Sequence, residues 1–402
     1  MDYKLEKIPG GICVTGGIQA AGVSCGLKKN GDKDLALIFS QKPATAAGVF
    51  TKNKFRAAPL LLTEKHLQNP IRAVVVNSGN ANACTGEQGA KDALTMAEIT
   101  ARELNIRTEE VLVSSTGVIG VYLPMDKLAA GIKLAAADLS PQGGGAAARA
   151  IMTTDTVPKE YACRVTTKEG SFHVAGMAKG SGMICPDMAT MLGFLVTDAQ
   201  VEKDLLQKAL REAVKHSFNL ITVDGDTSTN DMVILISTGT ARQTIGEGGP
   251  LWPIFQEAVT RVCQELAAMI VADGEGATKV IKLTIKGIPG YETGRGLARA
   301  ILNSLLVKTA IFGEDANWGR IITAMGYSGI DFLPELVDIY LGDLQVTAAG
   351  KGLRFDEAEA KKILSQREIS ILVDLHLGPE AITALGCDLS YEYVTINSSY
   401  RS

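Results

Sequence analysis

Short apolar segments alternate with amphipathic segments along this chain, and this alternation constrains the fold more than any other feature. Runs rich in β-branched residues predict strands at 34–40, 72–78, 110–116, 191–199, 232–239, 279–287, 367–378 and 391–397. Apolar residues at helical spacing predict helices at 89–105, 201–218, 251–272 and 294–313. The glycine-rich segment 140–150 is predicted as a loop. We therefore expect an α/β fold with layered sheets and helices.

Size and charge favour a soluble globular chain that acts on small molecules. The 402 residues are 46% hydrophobic and 21% charged, which suffices for one large layered core or several cores. The net charge is −4 and no block of Lys and Arg occurs, so we expect no nucleic-acid partner. The apolar runs are far shorter than the roughly 20 residues of a membrane helix, and the first residues resemble no targeting signal. We expect a cytoplasmic protein without a membrane partner.

Familiar catalytic sets are missing from the sequence. The seven cysteines are scattered singly without a C-x-x-C pair, which fits neither a disulfide framework nor a zinc site. No G-x-S-x-G, H-E-x-x-H or Walker A string occurs, and the four histidines are interpreted as structural. We therefore expect no metal site and no bound cofactor.

The segment "ICPDMATMLGF" (184–194) raises the question of whether Thr190 is a nucleophile. A hydroxyl without a histidine needs another base, and a free α-amine with a pKa near 8 is one known solution. Thr190 would expose such an amine only if the chain were cut after Ala189. The nearby glycines at 180 and 182 suit the tight backbone of such a cut. From these residues alone, an ordinary strand start remains the favoured interpretation.

Longer motifs, above all the segment 176–192 that surrounds Thr190, change this interpretation: through them the chain resembles the ornithine acetyltransferase (glutamate N-acetyltransferase) family of arginine biosynthesis. The segment "GMAKGSGMICPDMATML" (176–192) is similar to the site at which these enzymes cleave themselves. Further family words occur in order at 46–60, 75–86, 114–120, 151–159, 222–231, 272–279, 312–321 and 393–402. The resemblance covers essentially the whole chain.

The resemblance implies a fold and an assembly. It implies an α-β-β-α type sandwich like that of certain aminopeptidases, with a smaller C-terminal α/β lobe within about 283–390. Self-cleavage between Ala189 and Thr190 would yield an alpha chain, 1–189, and a beta chain, 190–402. It further implies a heterotetramer of two alpha and two beta chains, with the C-terminal tail returning to the active site.

The resemblance also implies the reaction. Thr190 matches the nucleophile that takes an acetyl group from N2-acetyl-L-ornithine and passes it to L-glutamate by ping-pong kinetics. Some family members also accept acetyl-CoA as a co-substrate, and no phosphate-binding loop in the sequence decides this point. The alternatives are an amidohydrolase or aminopeptidase of the N-terminal-nucleophile type, and a non-catalytic binding protein with an uncut chain.

The remaining site residues are carried over by position. Thr116 and Gly117 match the oxyanion hole of the family. Substrate contacts are implied for Thr153, Lys179, Thr190, Glu275, Asn397 and Ser402. We expect Lys179 to engage a carboxylate or the reacting acyl group, and Glu275 to attract the ornithine ammonium, while Asn397 and Ser402 hydrogen-bond polar ends of the substrate.

Overall fold

The computed structural model describes residues 2–185 and 191–399. The strands in these ranges are β1 (Tyr3–Ile8), β2 (Ile18–Val23), β3 (Leu35–Phe50), β4 (Ile71–Asn80), β5 (Val111–Val118), β6 (Lys159–Thr167), β7 (Gly170–Lys179), β8 (Leu192–Thr197), β9 (Gln200–Val201), β10 (Met232–Ser237), β11 (Thr244–Ile245), β12 (Val280–Ile288), β13 (Asp338–Leu341), β14 (Leu344–Ala348), β15 (Lys351–Gly352), β16 (Glu368–Asp374) and β17 (Glu380–Cys387). The helices are α1 (Ala58–His66), α2 (Gly86–Leu104), α3 (Met125–Ala137), α4 (Gly144–Ala150), α5 (Lys203–Lys215), α6 (Leu251–Ala272), α7 (Tyr291–Leu302), α8 (Leu305–Phe312), α9 (Trp318–Gly326), α10 (Glu357–Leu364) and α11 (Tyr391–Ser399).

The long strand β3 joins two sheets in the larger part of the molecule. Its first half pairs with β2 and β4, and its second half pairs antiparallel with β10. The strand order is β1-β6-β7-β8-β10-β3-β4-β5, with β2 on β3. The register between β3 and β4 shifts between Phe39 and Ala44, and the residues of β3 that follow this shift pair with β10.

Alternating side chains stack these sheets into four layers, since successive residues of a strand face opposite sides. Even-numbered residues of β8 and β10, such as Phe194 and Ile234, enter the core that also contains Ile38 and Val76 of the other sheet. Odd-numbered neighbours such as Leu235 pack under α5 and α6. The outer face of β3 and β4 packs against α2 and α3. The α-β-β-α sandwich implied by the resemblance is therefore confirmed.

A separate, six-stranded sheet forms the smaller C-terminal lobe. Its order is β15-β14-β13-β16-β12-β17, and it occupies residues between Val280 and Cys387. Helices α7 to α10 cover it and complete a separate hydrophobic core. No helix formed by the described residues is long and apolar enough to cross a membrane.

The predicted strand at 391–397 is wrong, because this segment lies within α11. The alternation of Tyr391, Tyr393 and Thr395 resembles a strand pattern, but no neighbouring strand pairs with it. Ser390 begins the helix instead, since its hydroxyl accepts a hydrogen bond of 3.2 Å from the backbone N–H of Glu392.

The predicted loop at 140–150 is wrong over its second half, which forms α4. Glycines on both sides allow this segment to pack closely on β2: a Cβ on Gly22 of β2 would overlap the carbonyl of Ala146, and one on Gly143 would overlap that of Ala20. The predicted helix at 294–313 is divided, because Ser304 caps the start of α8 by accepting from the N–H of Val307.

Candidate active site

Six of the residues expected in the site line one cavity of about 170 Å³. They are Thr116, Gly117, Thr153, Lys179, Glu275 and Asn397. The three others, Ala189, Thr190 and Ser402, lie outside the described residues. Met191, the residue that follows Thr190 in the sequence, lines the same cavity, whereas none of the four histidines does.

Thr116 and Gly117 lie near the end of β5, which pairs in parallel with β4, and both residues line the cavity. Gly117 has φ +130°, and a Cβ there would overlap the backbone of Gly79 on the neighbouring strand. Only glycine combines this backbone conformation with so close an approach. The position is therefore restricted to glycine by the geometry of the two strand ends.

A buried ionic network supports Lys179, which ends β7. The Nζ of Lys159, a fully buried side chain, lies 2.6 Å from Oδ1 of Asp155 and 2.6 Å from Oδ2 of Asp273. The other oxygen of Asp155 lies 3.9 Å from the Nζ of Lys179. Asp155 thus stands between two lysines, one structural and one facing the cavity.

Asp155 also fixes the backbone around the site. It accepts hydrogen bonds from the N–H of Gly180 at 2.7 Å and from that of Thr153 at 3.0 Å. Burial alone would raise the pKa of Asp155, but the charges of Lys179 and Lys159 outweigh it and lower this pKa to about 2. For Lys179, burial lowers the pKa, and Asp155 opposes that shift.

Glu275 reaches the cavity just after α6. Its backbone N–H donates to the carbonyl of Ser181 at 3.0 Å, and its carboxylate lies directly over the Cα of Gly182, where a Cβ would overlap it. Asn397 on α11 donates 2.8 Å to the Oε2 of Glu275. The end of the described chain is therefore attached to the site by a polar contact.

The segment that precedes β10 supplies carboxylates that we did not assign from the sequence. Asp224 accepts hydrogen bonds from the N–H groups of Met183 and Ile184, at 2.6 and 2.9 Å. Asp231 is 2% exposed, and its Oδ2 has no hydrogen-bond partner among the described residues. Burial raises the pKa of Asp231 well above its ordinary value, although the charge of Lys179 acts in the opposite direction.

These missed residues carried a signal in the sequence. Asp155 and Lys159 lie within the family word 151–159, and Asp224 and Asp231 lie within 222–231. The pairing of Asp155 with Lys179 and of Lys159 with Asp273 depends on contacts between distant segments, which the motifs themselves do not reveal.

The cavity is suited to a small polar substrate that carries a positive charge. The titratable side chains that line it among the described residues are one lysine and four acids: Lys179, Asp224, Asp226, Asp231 and Glu275. Hydroxyl and amide groups of Thr116, Thr153 and Asn397 add hydrogen-bonding capacity. Within residues 2–185 and 191–399, no group of three or more His, Cys, Asp or Glu is arranged to hold a metal ion.

The fold and this cavity define the class: an α-β-β-α sandwich enzyme that acts on small charged molecules. Residues 19–402 match the ArgJ family. The arginine biosynthesis bifunctional protein ArgJ of Symbiobacterium thermophilum is 52% identical over 402 residues, covering 99% of this chain and 100% of the relative. The ArgJ protein of Thermotoga neapolitana is 52% identical over 395 residues, covering 96% of this chain and 99% of the relative.

A solved structure agrees with this relationship. The arginine biosynthesis bifunctional protein argJ of Bacillus halodurans is 44% identical with a TM-score of 0.50, and covers 52% of this chain and 98% of its own. The chain belongs to the ArgJ family and is an enzyme of arginine biosynthesis. The predicted class, a glutamate N-acetyltransferase, is confirmed by this membership.

Proposed function

We propose that this enzyme moves an acetyl group from N2-acetyl-L-ornithine to L-glutamate through an acetyl ester on Thr190. The observation that carries the proposal is the convergence of the six expected residues on one cavity. They come from segments as far apart in sequence as Thr116 and Asn397. Met191 in the same lining places the sequence neighbour of Thr190 at this cavity.

The nucleophile first requires a cut in the chain. The hydroxyl of Thr190 attacks the carbonyl of Ala189, the acyl group moves from nitrogen to oxygen, and water hydrolyses the resulting ester. The products are a carboxylate at Ala189 and a free amine at Thr190. In support, the Bacillus halodurans chain is almost fully covered by 52% of this chain. A cut before Thr190 would leave a second chain of similar share, 213 of 402 residues.

The exposed amine then acts as the base. It takes the proton of the Thr190 hydroxyl as the oxygen attacks the acetyl carbonyl, and it returns that proton to the departing ornithine amine. The hydroxyl of Thr116 and the N–H of Gly117 stabilise the negative oxygen of the tetrahedral intermediate. The α-amine of glutamate then attacks the acetyl ester. The acetyl group leaves Thr190 for this amine, and the Thr190 hydroxyl is regenerated.

The charged lining suits both substrates. Glu275 receives the side-chain ammonium of ornithine, and Lys179 pairs with a substrate carboxylate. Thr153, Asn397 and Ser402 hydrogen-bond the polar ends. The excess of acidic residues over lysine in the cavity favours the ammonium group of ornithine more than it favours glutamate.

A second donor, the assembly and the cellular location belong to the same proposal. Acetyl-CoA acts as an alternative acetyl donor, in keeping with the word bifunctional in the names of the relatives. The cut chains assemble as a heterotetramer of two alpha and two beta chains, and the enzyme works in the cytoplasm.

Denaturing mass spectrometry combined with a donor assay tests the mechanism. The wild type should give chains of 189 and 213 residues and transfer acetyl from acetylornithine to glutamate. Thr190→Ala should remain one inactive chain, whereas Thr95→Ala, a half-buried control on α2, should behave as the wild type. An uncut and fully active wild type contradicts the mechanism, and acetate release without glutamate would favour the amidohydrolase.

A further inference from the structure

We propose that a basic groove beside the second half of β3 binds the phosphate-bearing end of acetyl-CoA. The groove, here called the β3 groove, is lined by β3 residues 46–50, by Thr51, and by the side chains of Arg56, Glu64, Lys203 and Arg211. It lies outside the cavity described above. The inference rests on the proposed use of acetyl-CoA as a second donor.

The size of the central cavity requires a separate place for this donor. A volume of about 170 Å³ accommodates an acetylated amino acid, but the nucleotide end of a CoA thioester is a drug-sized group. The β3 groove has a volume of about 370 Å³ and is open to solvent along one side. A long donor can therefore place its acetyl end in the cavity only if its nucleotide lies elsewhere.

The charge of the groove matches a phosphate. Three cations and one carboxylate line it, on a protein whose net charge is −4. The guanidinium of Arg56 pairs with Glu64 at 3.0 Å, but its buried Nε has no hydrogen-bond partner among the described residues. Arg211 is exposed and forms no ion pair with any residue that the structure describes. Guanidinium groups with donors still available are the side chains best suited to phosphate oxygens.

Lys203 adds a third positive charge, and the hydrogen-bond partner of its ammonium group is neutral. Its Nζ donates to the amide oxygen of Gln68 at 3.1 Å, a neutral partner that leaves the charge uncompensated. The groove wall itself is held by Gln207, whose side chain bonds both the N–H and the carbonyl of Gly48. Arg56, Lys203 and Arg211 thus line a groove whose β3 backbone is fixed by hydrogen bonds.

The groove and the central cavity have lining residues that contact each other. Thr51 lines the groove, and its hydroxyl donates to the carbonyl of Ser228 at 2.9 Å. Ser228 lines the central cavity. The guanidinium of Arg56 lies 5.9 Å from the ring centre of Phe50, the residue before Thr51. The groove and the cavity are therefore linked through one hydrogen-bonded pair, Thr51 and Ser228.

An exposed aromatic residue, Phe55, directly precedes Arg56 of the groove in the sequence. Phe55 is 71% exposed, which is unusual for so large an apolar side chain. Its backbone is fixed by a hydrogen bond of 2.9 Å from its N–H to the side-chain oxygen of Asn53. An adenine can stack on such a ring, as bases do on aromatic side chains in other nucleotide sites.

The chemistry at the nucleophile is the same for both donors. The Thr190 oxygen forms a bond to the acetyl carbon, the carbon–sulfur bond breaks, and the proton of the hydroxyl leaves with the CoA thiol. The same ester results, and glutamate then takes the acetyl group. The groove changes only which donor reaches the cavity.

Donor-specific kinetics test the assignment. Arg56→Gln and Arg211→Gln should each raise the KM for acetyl-CoA by about 10- to 100-fold, the range expected for losing a charged hydrogen bond. The KM for acetylornithine should stay within about twofold of the wild-type value, because that donor does not reach the groove. Lys133→Gln, an exposed charge on α3, serves as the control and should leave both values unchanged.

A nucleotide fragment separates CoA recognition from general anion binding. Adenosine 3′,5′-bisphosphate should compete with acetyl-CoA and not with acetylornithine, and inorganic phosphate at the same concentration should have little effect. Equal inhibition by phosphate would overturn the assignment, as would loss of both donor activities in Arg211→Gln. A wild type that uses acetylornithine but neither uses acetyl-CoA nor binds the bisphosphate would overturn the groove assignment while leaving the acetylornithine reaction intact.

Discussion

The side-chain amide of Asn397 donates a 2.8 Å hydrogen bond to the Oε2 of Glu275, joining the last described helix to the central cavity. The two residues are far apart in sequence, and α11 buries no residue of its own. Its position depends on a few contacts, among them the hydrogen bond from the hydroxyl of Ser390 to the carbonyl of Gly276 and the edge-on contact of the Tyr391 ring with Phe312. The carboxylate of Glu275 is consequently oriented by the C-terminal segment.

Substitution of Asn397 should therefore change substrate binding. Asn397→Asp places a second negative charge beside Glu275, and the repulsion should turn that carboxylate away from the ornithine ammonium. We expect the KM for acetylornithine to rise about tenfold, the effect of losing one charged contact, with the extent of chain cleavage unchanged. Ser398→Ala, one residue further along α11, is the control. Steady-state kinetics that show equal KM values for Asn397→Asp and the wild type would contradict this role.

Gly276→Ala should displace the same helix by a different route. Gly276 has φ +66°, and a Cβ there would overlap the backbone N of Tyr393. Moving α11 away relieves this overlap, whereas the positive φ costs about 1–3 kcal/mol whether or not the helix is docked. Limited proteolysis followed by mass spectrometry should show earlier cleavage within 391–399. Gly246→Ala, where no atom lies within 4 Å, is the matched control; identical digestion of both variants would show that α11 tolerates the change.

The sequence predicted regular elements well where one core determines the pattern. The helix 251–272 agrees with α6 (Leu251–Ala272), because its apolar stripe packs against a single sheet face. The alternation at 232–239 predicted β10, whose two faces enter two different cores. At α11 the pattern failed, because polar contacts to Glu275 and Gly276, and not burial, hold that segment in place.

The site was predictable residue by residue only through the family resemblance. The motif around Thr153 drew attention to a hydroxyl, whereas the structure shows that Asp155 and Lys159 in the same motif form the buried ionic support. Their partner Asp273 lies more than a hundred residues away, and local spacing contains no information about such a contact. The fold has to be known before this network can be recognised.

Asp155 should make the protein sensitive to acid. Its pKa in the folded state, about 2, lies below the ordinary value of 3.8, so folding favours the ionised form. This contribution to stability is complete above about pH 4 and is lost as the pH falls through about 2. Asp155→Asn breaks a buried ion pair and should cost about 3–5 kcal/mol of unfolding free energy at pH 7. Denaturant unfolding at several pH values should show this difference shrinking toward pH 2, and a constant difference would contradict the assignment; Asp32→Asn, at an exposed position, is the control.

Asp231 should show the opposite dependence on pH. Burial raises its pKa in the folded state well above the ordinary value of 3.8, so folding favours the protonated form. Its contribution is complete below about pH 4 and is lost as the pH rises toward the raised pKa. Asn has the same shape and no charge, so Asp231→Asn should become progressively more stable than the wild type above pH 4, by about 1–3 kcal/mol once the wild-type carboxyl ionises. Thermal and denaturant unfolding from pH 4 to pH 8 measure this directly. Parallel stability curves for the two proteins would show that the Asp231 carboxyl does not change its protonation on folding.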